Sequence, residues 1–315
     1  IRLSIFIIAL SPGSSQLVFD RLAAALDRGA EVEVITESKH EDSPSQRAFV
    51  DGLSERGADI YYCPRGCISA DPTAINHSKV WLLNIGGQRT IIQSTANISG
   101  STKYEAAAAF DGNHYRKLWR FYRTRLDIQR CYAQEPSPTS CIIRGETVAI
   151  EPHQQSFEWQ ANGTIRAYMS SPTDDKDYQL NILRNVTPDT RCRVRLVMGH
   201  WSNTTRGRAF IKELNRLHRG GCRVQAIYGG RRRAAFHDPD RVKVRFDLQH
   251  QTNVHAKFLA VNAVYYQKRR KLVWVGSANF TEDAGSINDE SFVRISRDWV
   301  HDEFVRFFRE IEASD

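Results

Sequence analysis

The sequence predicts an α/β protein of two similar α/β/α sandwich lobes, residues 1–150 and 151–315, related by pseudo-two-fold symmetry. Three observations predict it. A chemical motif occurs twice: His77-Ser78-Lys79 with Ser94-Thr95-Ala96-Asn97, and His255-Ala256-Lys257 with Gly276-Ser277-Ala278-Asn279. In both halves, apolar runs of strand length alternate with segments of helical period. At 315 residues the chain can supply two units of about 150 residues each.

The first half opens on an apolar run, residues 1–10, too short for a membrane span and readable as a buried strand. After a polar turn, Leu17, Leu22 and Leu26 mark a helix that ends at Gly29. Residues 31–35 alternate as a strand, 45–56 form a second helix before Gly57, and 59–62 resume the sheet. Residues 76–84 read as a strand with His77 and Lys79 on one face, because side chains two apart point the same way. A strand at 89–93 follows, and Glu105 opens a third apolar run to Phe110. Beyond it a basic helix carries Leu118, Trp119, Phe121 and Tyr122, read as core, and 134–140 form a loop. The second half reads as a repeat: strand 164–169, helix 178–185, strand 193–198, helix 207–218 and strand 223–228. Strands at 254–262, 271–275 and 290–295 come next, and an amphipathic helix at 299–311 closes the chain.

A repeated His, Lys and Asn is what a two-fold phosphate site needs. Phosphodiesters resist hydrolysis because the anionic centre repels nucleophiles and an alkoxide leaves poorly; a covalent intermediate divides that displacement into two easier steps. One neutral imidazole can attack phosphorus while a protonated one gives its proton to the leaving oxygen. His77 and His255 therefore need opposite protonation states, which only unequal surroundings provide. Lys79 and Lys257 would hold the non-bridging oxygens, with Asn97 and Asn279 donating to them. Glu105 and Glu290 could accept the other imidazole N–H and fix its tautomer. Ser94 and Ser277 stand where hydroxyls could line the phosphate pocket or, equally, satisfy their own loops. None of these roles calls for a metal or another cofactor.

These residues resemble the phospholipase D superfamily, whose HxK(x)4D and GSxN motifs occur twice across a bilobal phosphodiesterase fold. The resemblance covers both halves. At the position of the family's Asp, five residues after the Lys, stand Asn84 and Asn262, a departure that keeps a non-catalytic binding protein among the readings. The resemblance implies that each acid serves the His of the other lobe, with His77 as nucleophile and His255 as general acid; the residues alone leave that symmetry open. A looser resemblance to secreted actinobacterial phospholipases D lies around residues 76–79, Leu118-Trp119, and Cys131 with Cys141.

Lys plus Arg number 44 against 36 Asp plus Glu, and a net charge of +8 suits an anionic substrate without naming it. Arg206, Arg208, Arg231-Arg232-Arg233 and the series Arg116, Lys117, Arg120, Arg123, Arg125 could meet lipid headgroups or nucleic-acid phosphates, or form a solvated surface. Loops at 199–203, with Trp201, and 229–236 could present an aromatic surface and a cationic lip, or be ordinary turns. Cysteines fall as three local pairs, Cys63/Cys67, Cys131/Cys141 and Cys192/Cys222, read as disulfides of an oxidising compartment; zinc is the rival at Cys63/Cys67. The start at Ile1 reads as an export signal already removed, and no segment is long and apolar enough to span a bilayer. Asn97-Ile98-Ser99 and Asn279-Phe280-Thr281 match the glycosylation sequon, yet the chemistry needs both amides free, which favours a secreting bacterium. The expectation is a secreted, monomeric phospholipase D-type phosphodiesterase acting on phospholipid at a membrane surface and able to transfer the phosphatidyl group to an alcohol. A nuclease of the same fold acting on DNA or RNA is the rival.

Overall fold

Two mixed sheets frame the computed structural model, which describes residues 1–69, 71–100, 103–135, 138–150, 157–161, 164–169, 177–230 and 243–314. The first half contains β1 (Arg2–Ile5), α1 (Ser14–Asp27), β2 (Glu33–Glu37), α2 (Pro44–Ser54), β3 (Asp59–Cys63), β4 (Lys79–Ile85), β5 (Gln88–Ser94) and β6 (Ala107–Asp111). Helix α3 (Arg116–Gln134) and the hairpin β7 (Ser140–Ile143) and β8 (Glu146–Ala149) follow. The second half contains β9 (Phe157–Ala161), β10 (Ile165–Met169), α4 (Tyr178–Arg184), β11 (Val186–Thr187), β12 (Arg193–Met198), α5 (Thr205–Arg219), β13 (Arg223–Tyr228) and β14 (Asp247–His250). It ends with β15 (Lys257–Tyr265), β16 (Lys268–Gly276), α6 (Glu282–Ser286), β17 (Ser291–Ile295) and α7 (Asp298–Glu312).

The first sheet has the order β3-β2-β1-β4-β5-β6, with β1 to β3 parallel and β4 to β6 antiparallel. Helices α1 and α2 make the crossovers that parallel neighbours require. The second sheet repeats this order and these directions as β14-β13-β12-β15-β16-β17. Strands β10 and β9 extend it beyond β17. The repeat therefore begins at Arg193 and not near residue 164. An apolar run such as β10 looks the same outside the six repeated strands as within them, so hydrophobicity alone does not rank the strands. Both central hairpins turn through two residues of positive φ: Gly86 and Gly87 at 58° and 81°, Tyr266 and Gln267 at 46° and 62°. That geometry matches the twist of paired strands; glycine adopts it freely, and the second copy holds it with full side chains.

Alternation along each strand divides its side chains between two layers. On the outer side of the first sheet, Leu3, Ile5 and Val34 pack with Leu22, Phe49 and Leu53. On the outer side of the second, Val194, Leu196, Leu259 and Val261 pack with Leu183, Phe210 and Leu214. Between the sheets, Ile35, Val80 and Ile91 share one core with Val197, Phe258, Val273 and Val293, joined by Tyr122 of α3 and Phe304 of α7. This shared layer brings the first residues of β4 and β15 to one region.

Leu118, Trp119 and Tyr122 are buried as the helical pattern suggests. Arg125 departs from the basic-surface reading: it is 1% exposed. All three cysteine pairs are disulfides: Cys63–Cys67, Cys131–Cys141 and Cys192–Cys222. Among the described residues no helix is long and apolar enough to cross a membrane. Arg231, Arg232, Arg233 and the rest of that loop after Gly230 lie outside the described residues, as do Pro136 and Ser137.

Candidate active site

Lys79 and Lys257 are the first residues of β4 and β15. His77 and His255 stand two residues earlier, on the approach to the strand and not within it, as alternation alone suggested. The cause lies in the backbone, because each approach segment pairs across to the other lobe. Asn76 bridges Asp289, and Val254 bridges Tyr104. His77 N–H donates to Asp289 O at 2.8 Å, and His255 N–H to Tyr104 O at 3.1 Å.

The bridged residues immediately precede the two acids, so each imidazole meets a carboxylate of the opposite lobe. His77 Nδ1 lies 2.9 Å from Glu290 Oε2, and His255 Nδ1 lies 2.5 Å from Glu105 Oε1. This is the crossed arrangement that the resemblance implies. With Nδ1 turned to a carboxylate, the proton resides there and Nε2 keeps a free lone pair. Both lysines are fully buried and curl back, Lys79 Nζ to His77 O at 2.8 Å and Lys257 Nζ to His255 O at 2.5 Å.

Each acid also accepts from a hydroxyl of its Asn loop. Thr95 Oγ1 donates to Glu105 Oε2 at 2.5 Å, and Ser277 Oγ donates to Glu290. The same hydroxyls accept the N–H of Ala106 and of Ser291, both at 2.9 Å. Thr95, not Ser94, is thus the counterpart of Ser277, a match visible once Asn97 is set over Asn279. Ser94 Oγ instead accepts the Ala96 N–H at 2.9 Å, the local role.

Asn279 Oδ1 accepts the His200 N–H at 3.1 Å, which leaves its NH2 group as a donor. Arg206 braces that loop by donating to Asn279 O at 2.7 Å and Thr281 O at 2.9 Å while paired with Asp177 at 2.6 Å. Trp201 offers no aromatic surface: it is fully buried against Phe280 and donates to Gly207 O at 2.9 Å. The Asn97 loop is held by the tail of the N-terminal apolar run, through Ile98 N–H to Ile7 O at 3.0 Å and Ala9 N–H to Ile98 O at 2.8 Å. Among the described residues Asn97 Oδ1 is buried without a hydrogen-bond partner.

Burial pushes His77 and His255 down to about 4, outweighing the pull of Glu290 and Glu105. It likewise lowers Lys79 to about 7 and Lys257 to about 8, and the charge of Lys257 adds to the depression of Lys79. Burial works against ionised Glu105 and Glu290, yet their His, Lys and hydroxyl neighbours hold both below the ordinary range. These surroundings do not split the imidazoles by charge. They split them by access: the His77 and Glu290 side chains are 7% and 1% exposed, those of His255 and Glu105 22% and 25%.

Several supporting residues carry no mark in the sequence. Phe6 sets its ring 5.0 Å from the His77 ring and 5.5 Å from Lys79 Nζ. Gln93 Nε2 donates to Ser291 Oγ at 2.9 Å and Lys79 O at 3.2 Å. Asp289 is fully buried, and burial raises it to about 6. Among the described residues no group of three or more His, Cys, Asp or Glu is placed to hold a metal ion.

Residues 188–312 match a family model described as cardiolipin synthase, PLD-like domain. The phosphatidylserine synthase of Haemophilus influenzae Rd KW20 aligns over 99% of this chain and 80% of its own, with a TM-score of 0.61 at 10% identity. The fold is phospholipase D-like. A second solved structure, polyphosphate kinase from Porphyromonas gingivalis, aligns over 98% of this chain with a TM-score of 0.53 at 16% identity. This chain covers 45% of that kinase's length. No curated protein matches the sequence.

Proposed function

We propose that this phospholipase D-fold protein is a phosphodiesterase that works through a phosphohistidine. The observation that carries the reading is the pair of crossed His–Glu contacts, each with a buried lysine beside it. His77, in the more enclosed pair, attacks phosphorus through Nε2; the bond to the leaving oxygen breaks, and that oxygen takes a proton from His255 Nε2. Water or an alcohol then attacks the phosphohistidine, giving its proton back to His255 and releasing His77. In the free protein both imidazoles favour the neutral form; the anionic diester, held by Lys79 and Lys257, supplies the negative charge that lets His255 carry its proton. Asn97 and Asn279 donate to the equatorial oxygens as charge builds.

A phospholipid is the substrate we favour, because the family description and the phosphatidylserine synthase both name phospholipid chemistry. Three disulfides support an extracellular, oxidising location. Both halves of each dyad lie in one chain, which suits a monomer. The net charge of +8 favours a second reading, a nuclease. Parallel assays of phosphatidylcholine vesicles, single-stranded DNA and bis(p-nitrophenyl) phosphate in EDTA test both. Headgroup release supports the lipase, and DNA cleavage alone replaces it with the nuclease. No turnover of any substrate, or turnover that survives His77→Ala, sinks the phosphodiesterase.

A further inference from the structure

The two dyads are braced by different means. Before Glu105 stands Tyr104, whose ring packs against Phe307 at 6.2 Å between centroids. The matching position before Glu290 is Asp289, a carboxylate with 0% exposure. Its Oδ2 accepts the N–H of Cys67 at 2.6 Å and of Ile68 at 2.7 Å, at the end of the loop closed by the Cys63–Cys67 disulfide. In the same loop Gly66 N–H donates to Glu37 Oε2 at 3.3 Å, and that oxygen also accepts the Asn76 N–H at 2.6 Å. One disulfide loop therefore grips both segments of the His77–Glu290 dyad: through Glu37 it holds the residue before His77, and through Asp289 the residue before Glu290. Backbone bonds from Asp289 to His77 N at 2.8 Å and Ile75 O at 3.0 Å close the frame.

We propose that Asp289 is a positioning residue: by clasping the disulfide loop it sets where Glu290 stands against His77, and it does so for this dyad alone. Without the carboxylate, two buried N–H groups lose their acceptor, and the Glu290 segment is free to drift from the imidazole. An Asn at 289 keeps one oxygen able to accept both N–H groups, so it should preserve the geometry where Ala does not. Only the kinetic arm of the test rests on the phosphodiesterase reading.

The experiment uses the full chain with 15N-labelled histidines, His77 being assigned by the signal missing from His77→Gln. Wild type and Asp289→Asn should show His77 protonated on Nδ1, while Asp289→Ala should show a mixed tautomer at His77 and an unchanged His255. With bis(p-nitrophenyl) phosphate, kcat should fall about 10–100-fold in Asp289→Ala with KM nearly constant, and recover in Asp289→Asn. Cys63→Ser with Cys67→Ser loosens the same clasp from its other side and should repeat the Asp289→Ala result. A folded Asp289→Ala with wild-type His77 tautomer and kcat overturns the proposal; if that variant does not fold, the double Ser variant decides by the same readouts. An inert wild type would sink the phosphodiesterase reading, yet the His77 signals would still decide the role of Asp289.

Discussion

Replacing Lys79 by Met should make the protein more stable and nearly inactive. The ammonium is 0% exposed, and its pKa falls from 10.5 to about 7 through burial first and the charge of Lys257 second. At about 1.4 kcal/mol per pH unit, that drop costs the folded state about 5 kcal/mol when both states are protonated. An unfolded lysine binds its proton more tightly than this folded one, so stability rises with pH wherever the two differ. The penalty is complete below about pH 7, fades as pH climbs towards 10.5, and is gone above it. Methionine is close in volume and carries no charge; imperfect packing leaves a net gain of about 2–3 kcal/mol near neutral pH, or about 3–5 °C in Tm. Thermal unfolding followed by circular dichroism between pH 6 and 10 measures it. Wild-type Tm should climb with pH and rise on adding inorganic phosphate, whereas the variant should start higher, climb less and respond less to phosphate. Turnover should drop on the order of 1,000-fold, since one fixed positive charge at the phosphate is lost. A variant less stable than wild type near neutral pH, or one with the same pH slope, would refute the reasoning.

Gly199 lies against the His255 backbone, and a Cβ there would stand 2.6 Å from His255 O, so Gly199→Ala should displace His255. Its kcat should fall about 10–100-fold with the circular dichroism spectrum retained. Glu105→Gln and Glu290→Gln should each lower kcat about 10–100-fold by removing the charge that steadies the imidazolium, read from steady-state kinetics. Arg206→Ala strips the brace from Asn279 O and Thr281 O and leaves Asp177 unpaired, costing about 2–4 kcal/mol in urea unfolding. Removing the Cys192–Cys222 disulfide, which spans a sequence separation of 30, should cost about 3–4 kcal/mol by the same measurement.

Where chemistry and periodicity coincide, the sequence was informative. Strands β12 and β13 match their expected bounds, and His77, Lys79, His255, Lys257, Glu105 and Glu290 meet in one region because a repeated motif in a repeated topology has to. What escaped was information carried by pairing. Nothing local to residues 76–79 says that the chain leaves its own sheet at Asn76 to bridge Asp289, so alternation alone puts the histidines on strands that in fact start at the lysines. Ser94 shares its residue type with Ser277, whereas distance from the asparagine singles out Thr95. Arg125 looked like surface charge because a helix of mixed basic and aromatic residues does not reveal how wide its buried face is. Strands inside and outside the repeated six share one hydrophobic signature, so the pattern alone does not separate β10 from the repeat that starts at Arg193.

The crossed bridges at Asn76–Asp289 and Val254–Tyr104 mean that each half holds an imidazole whose carboxylate belongs to the other. A chain divided between them would be two chemically silent fragments, each with a histidine free to take either tautomer. Joining them would complete both dyads at once, through the same backbone contacts that build the interface. Turnover would then count reunited pairs, making such a divided protein a reporter of whatever brings its halves together.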